Sequence, residues 1–150
     1  MKNLFEITTV EEVKGRMSAL RADSARQWGK MNAAQAMEHC ARGMELALGD
    51  RRPPRVLIGR ILGPVIKPIA FRDGEPMRKN SPTVPGLAVI EETELVQGRE
   101  RLCGLVDRFV ACGPGGCTDH PHSFFGRLTP DEWSAWMYKH LDHHLRQFGV

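Results

Sequence analysis

The sequence predicts an all-α fold, a four-helix up-and-down bundle with an extra short-helix and loop insertion between its second and third helices. Three observations predict it. Four segments repeat apolar residues at helical spacing, three of them open on capping signals, and no region is rich in strand-like alternation. With 150 residues, 41% hydrophobic and 26% charged, the chain reads as one domain over 1–150 with enough material for a core.

The first helix is expected from about Val10 to Arg21. Thr9-Val-Glu-Glu12 has the pattern of a capping box, and Val13, Met17 and Leu20 follow at helical spacing, with Gly15 a weak point. The second opens at Asn32-Ala-Ala-Gln35, again a capping-box pattern, and Gly49 is a natural stop. Ala36, Met37, Cys40, Met44 and Ala47 form its apolar stripe, and His39 lies within it. The third is expected over Glu91 to Ala111, where Leu95, Leu102, Val106 and Phe109 keep the rhythm until Gly113-Pro-Gly-Gly116 ends it. The fourth opens at Thr129-Pro-Asp-Glu132, with Thr as cap, Pro at the first helical position and acids in the first turn. Trp133, Trp136, Met137, His140, Leu141, His144 and Phe148 then trace one face.

Residues 51–90 form the insertion and hold seven of the ten prolines. The apolar stretch from Arg55 to Phe71 is too short, and too broken by Gly59, Gly63, Pro64 and Pro68, for stable membrane insertion. Gly63-Pro64 is expected to divide it into two short helices. Arg55, Arg60 and Lys67 give it a basic side, which suits a membrane surface, a bundle end or a homodimer interface. Leu87-Ala-Val-Ile90 reads as extended, but one short run makes no sheet.

A net charge of +3, with no basic stripe interleaved with aromatics, gives no reason to expect nucleic acid as a partner. Met1-Lys-Asn-Leu-Phe-Glu6 and the charges that follow lack a secretory core, so a cytoplasmic location is expected. There the thiols of Cys40, Cys103, Cys112 and Cys117 should stay reduced. Cys112 and Cys117 bracket Gly-Pro-Gly-Gly as incidental loop thiols, a loop disulfide or half a metal site, and their spacing fits no metal signature well.

The histidines carry the functional reading. His140 and His144 stand four apart, on one face of the fourth helix, and two imidazoles so stacked can grip one metal ion. His39, on another helix, is the candidate third ligand. Three protein ligands leave an open coordination position, as in catalytic zinc sites. The alternative is a set of hydrogen-bonded core histidines, since spacing alone does not make His39 face the pair. His143 lies about 100° round the helix from His144 and is expected outside the ligand set. Asp142 and Arg146 read as a surface ion pair.

Four stretches carry a resemblance to a known family: Trp28-Gly-Lys-Met-Asn-Ala-Ala-Gln-Ala-Met-Glu-His39, Arg78-Lys-Asn-Ser-Pro82, His122-Ser-Phe-Phe-Gly-Arg-Leu-Thr-Pro-Asp-Glu-Trp133 and Tyr138-Lys-His-Leu-Asp-His-His-Leu-Arg-Gln-Phe148. Over nearly its whole length the chain resembles the DinB-like (DinB/YfiT) superfamily of metalloenzymes, closest to an uncharacterised domain-of-unknown-function branch. The resemblance implies a four-helix bundle that binds a divalent transition metal through one histidine of the second helix and an H-x-x-x-H pair of a later one. Those roles map onto His39, His140 and His144. Where the common family ending has histidine followed by Arg-Gly-Gln, this chain has His144-Leu-Arg-Gln147, which keeps the ligand and changes its surroundings. The 51–90 insertion also departs from the plainest members, so their substrate pocket need not be shared.

Zinc or nickel is the expected metal. The resemblance implies metal-dependent transfer of a low-molecular-weight thiol to a small electrophilic substrate, with a metal-dependent hydrolase of a small amide-type bond as the alternative. A non-catalytic metal-binding or structural bundle is the third reading. His120 and His122 are candidate bases, or else exposed loop imidazoles. Arg78 and Lys79 are candidates to receive a carboxylate of the thiol, or else a solvated basic loop.

Overall fold

A computed structural model describes residues 1–84 and 86–150; Pro85, one of the prolines of the insertion, lies outside the described residues. It is all-helical: α1 (Ile7–Ala19), α2 (Ala33–Leu48), α3 (Leu57–Ala70), α4 (Leu95–Cys112) and α5 (Pro130–Gln147), with a 3-10 turn at Pro114–Gly116. Among the described residues the only strand-like pairing is one bridge between His122 and Gly126.

Two start signals form as read. The Asn32 side chain accepts from Gln35 N while the Gln35 side chain accepts from Asn32 N, and Thr129 and Glu132 reciprocate in the same way. α2 ends at Gly49 with φ 81°, a left-handed backbone that glycine adopts without a Cβ clash.

Other expectations are corrected. Thr9 does not cap α1: the helix starts at Ile7 behind Glu6, and the Thr9 hydroxyl donates to Glu6 Oε2 at 3.3 Å. The start is set by burial upstream, where Leu4 is fully enclosed and Phe5 stacks on Phe109 with centroids 5.2 Å apart. α4 starts at Leu95 instead of Glu91, because Glu91 is held outside the helix by Arg42 and by the Ile90 amide.

The stretch expected to split at Gly63-Pro64 is one continuous helix, α3. Gly63 has no Cβ to clash with the following proline ring, which eases the usual restriction on the residue before proline. Pro64 and Pro68, four apart, fall on one exposed face, where carbonyls deprived of an amide partner meet water. Leu87–Ile90 is irregular chain with Leu87 and Val89 buried.

α2 packs on α4 and α5, and α1 packs on the same two helices. A glycine on α4 permits close approach to α2: a Cβ added at Gly98 would stand 3.4 Å from Met37 Cβ. The core joins Val13 and Met17, Met37 and Met44, Leu102, Val106 and Phe109, and Trp133, Met137 and Leu141. Each lies on the apolar stripe of its helix. Asp142 receives Arg16 at 2.8 Å and Arg146 at 3.6 Å, so it ties α5 to α1 instead of forming an isolated surface pair. All four cysteines are free thiols, with Cys40 buried and Cys112 exposed. No described helix is long and apolar enough to cross a membrane.

Candidate metal centre

His39, His140 and His144 come together. All three are buried, and one ring nitrogen from each lies within 4.8 Å of the others. The rings meet edge to face with centroids 4.8–4.9 Å apart. His39 projects from α2, and its partners project from successive turns of α5, so the α2–α5 contact builds the cluster.

The surroundings fix two of the tautomers. His39 Nδ1 lies 2.8 Å from the Leu87 carbonyl oxygen, which can only accept, so this nitrogen carries the proton and Nε2 presents its lone pair. Gln147 Nε2 donates to the Trp28 carbonyl at 2.7 Å, which turns Gln147 Oε1 towards His144 Nδ1 at 2.8 Å. His144 therefore also carries its proton on Nδ1 and offers Nε2. A carbonyl or amide oxygen behind the far nitrogen is the support that metal-ligating histidines receive in proteins.

The third ring is placed by an absence of side chain. A Cβ on Gly43, one turn after His39, would stand 2.9 Å from His140 Nδ1 and 3.0 Å from its Cε1. Gly43 thus leaves the space that His140 fills. His140 Nε2 points at His39 Nε2 across 2.9 Å and donates to it. Two nitrogens bound to one zinc ion at about 2.0–2.1 Å each would stand roughly 3 Å apart. A shift of the His140 proton to Nδ1 directs both lone pairs at one point, so the donor set fits a divalent transition metal.

The electrostatics favour the ligand form. Burial, reinforced by the neighbouring imidazoles, holds His140 well below the usual histidine range. Burial and His39 bring His144 to about 3, and burial lowers His39. The cluster is therefore neutral at pH 7, as metal ligation requires.

A family model described as a protein of unknown function, DUF1569, matches residues 2–149. The chain belongs to the DUF1569 family. No curated protein and no solved structure matches it.

The other candidates in this DUF1569 chain lie outside the trio. His120 Nε2 donates to the Pro53 carbonyl at 2.9 Å. His122 is buried among Phe125, Trp133 and Trp136, and its Nδ1 accepts the amides of Phe124 and Phe125 at 3.1 and 3.2 Å. Burial, with Arg55 adding to it, lowers His122 to about 4. Arg78 is exposed. Lys79 Nζ stands over the Trp28 ring at 4.2 Å, and Trp28 in turn tilts against His143 at 5.5 Å. Lys79 thus sits behind the layer that supports His144.

His143 is half-buried, its ring 5.0 Å from that of His144, and burial lowers its pKa. Sequence reasoning missed Gly43, Gln147, Trp28 and the Leu87 carbonyl. Two of them had a local signal: Gln147 stands three residues after His144 on α5 and Gly43 four after His39 on α2, each on the same side of its helix as the histidine.

Proposed function

We propose that the protein is a metal-dependent enzyme. In this reading the Nε2 atoms of His39, His140 and His144 hold one divalent transition metal ion, zinc or nickel. The reaction is transfer of a low-molecular-weight thiol to a small electrophilic substrate. The observation that carries the reading is the built surrounding of the trio: two Nδ1–H groups engaged by oxygen acceptors, which leaves the Nε2 atoms of His39 and His144 as lone-pair donors turned into the cluster, and a glycine at the position a side chain would take from His140. A bound ion of this kind keeps an open position and lowers the pKa of a thiol or water placed there.

The chain's own groups do the rest. Leu87 O and Gln147 orient His39 and His144. Lys79, with Arg78 beside it, supplies positive charge for a carboxylate of the thiol. The His143 ring stands 5.0 Å from that of His144, which makes His143 the better-placed proton acceptor beside the trio. The same reading places the family in the DinB-like superfamily, with α1, α2, α4 and α5 as its four-helix bundle. Its support is the closed ring of packing α1–α4–α2–α5–α1 and the origin of the trio, one residue from α2 and two from α5.

The test is elemental analysis of untagged protein, wild type beside His140→Ala. The expected result is one transition-metal ion per chain, absent from the variant, followed by thiol consumption when thiols are screened against electrophiles. Wild type that stays metal-free after reloading with zinc or nickel would sink the reading. A loaded protein that consumes no thiol would remove the transferase and leave the metal site.

A further inference from the structure

We propose that the outer face of α3 seats on the surface of an anionic lipid bilayer. A surface helix normally turns its apolar stripe inward. α3 does the reverse. Gly59 and Gly63 are its buried residues, and they lie directly on the Phe124 backbone: a Cβ on Gly59 would meet Phe124 Cα at 2.6 Å. The glycine side is thereby committed to the body of the protein, and the apolar side faces water.

Seven of the eleven exposed large apolar side chains among the described residues are on this one helix. Leu57, Ile61 and Val65 are 74%, 68% and 67% exposed. At about 100° per residue, Leu57, Ile61, Val65, Ile58, Ile69 and Leu62 sweep roughly 140° of its circumference. A contiguous exposed apolar face of this kind marks an interaction surface.

Charge selects the occupant. From Arg51 to Arg72 the chain carries Arg51, Arg52, Arg55, Arg60, Lys67 and Arg72 and no carboxylate. Arg55 and Lys67 are tied to backbone carbonyls beneath the helix, and Lys67 also to Glu132. Arg60 and Arg72 are exposed, and their side chains have no hydrogen-bond partner among the described residues. A second copy docking symmetrically on this face would bring two such cationic rims together with no acid in the segment to offset them. An anionic bilayer offers both complements at once, acyl chains for the apolar arc and headgroup charge for its rim. α3 is 14 residues, too short to span, so it lies in the interface plane.

The experiment is co-sedimentation of the full chain with vesicles of phosphatidylcholine containing phosphatidylglycerol, against phosphatidylcholine alone, at low and raised salt. Oligomeric state is measured alongside by light scattering. We expect binding to the anionic vesicles only, weakened by salt. Val65→Glu, an exposed site that leaves the fold intact by circular dichroism, should abolish it. Arg60→Gln, which keeps the apolar face, should weaken it about fivefold, from roughly 1 kcal/mol per basic residue near such a surface. Absence of binding, or equal binding to both vesicle types, overturns the proposal. So does a wild-type dimer that ignores vesicles and that Val65→Glu converts to monomer, which would assign the face to a second copy.

Discussion

Replacing Gly43 by alanine tests the candidate metal centre through one methyl group. The new Cβ would stand 2.9 Å from His140 Nδ1, whereas ordinary contact is about 3.5 Å, so the ring must retreat by roughly half an ångström. Overpacking of that size costs about 1–3 kcal/mol. Alanine in a helix interior returns about 1 kcal/mol relative to glycine, so the metal-free fold should lose no more than about 2 kcal/mol. Ligand distances tolerate only about 0.2 Å of error. Zinc affinity should therefore fall about 10–100-fold, the scale seen when a ligand's orienting partner is removed. The assay is competition for zinc against a chromophoric indicator, with thermal melts in parallel. Gly104→Ala is the control: Gly104 lies inside α4 with nothing within 4 Å of the added Cβ. It should stabilise by about 0.5–1 kcal/mol and leave zinc binding alone. A Gly43→Ala protein that folds and binds zinc as tightly as wild type would refute the placement of His140 in the site.

Two further outcomes follow from the surroundings of the histidines. Gln147→Leu strips His144 Nδ1–H and the Trp28 carbonyl of their shared partner, so zinc affinity should drop about 10–100-fold and stability by about 1–3 kcal/mol, read by the same titration and by denaturant melts. His122, lowered in the folded chain to about 4, makes stability depend on pH. Its folded value lies below the unfolded one, so the unfolded chain takes the proton first as pH falls. The contribution is whole above about pH 6.5 and is lost between there and about pH 4, about 3 kcal/mol at roughly 1.4 kcal/mol per unit. His122→Asn, whose side-chain oxygen can still accept the loop amides, should flatten that part of the curve. An unchanged pH profile in the variant would assign the dependence to other groups.

The legible parts of this chain are those decided within one turn of backbone. The Asn32–Gln35 and Thr129–Glu132 boxes close between residues three apart, and the stop at Gly49 depends on one residue's freedom at positive φ. The same locality put His140 and His144 on one face, because a helix brings residues four apart into register. Where a distant contact competes, the local signal loses. Thr9-Val-Glu-Glu12 has the letters of a cap, yet burial of Leu4 and the stacking of Phe5 on Phe109, more than a hundred residues away, move the helix start upstream. Gly63-Pro64 reads as a break, yet α3 runs through it, because its glycines are used to lie against Phe124.

The site divides along the same line. The sequence by itself determined the three imidazoles and the helices that carry them. Only the tertiary structure decided that His39 faces the α5 pair, that Leu87 and Gln147 fix two tautomers, and that Gly43 clears space for His140. The physical reason is range: a helix and its caps are specified by neighbours a few residues away. The convergence of three nitrogens depends on how α2 packs against α5, which is set by side chains spread over the whole core.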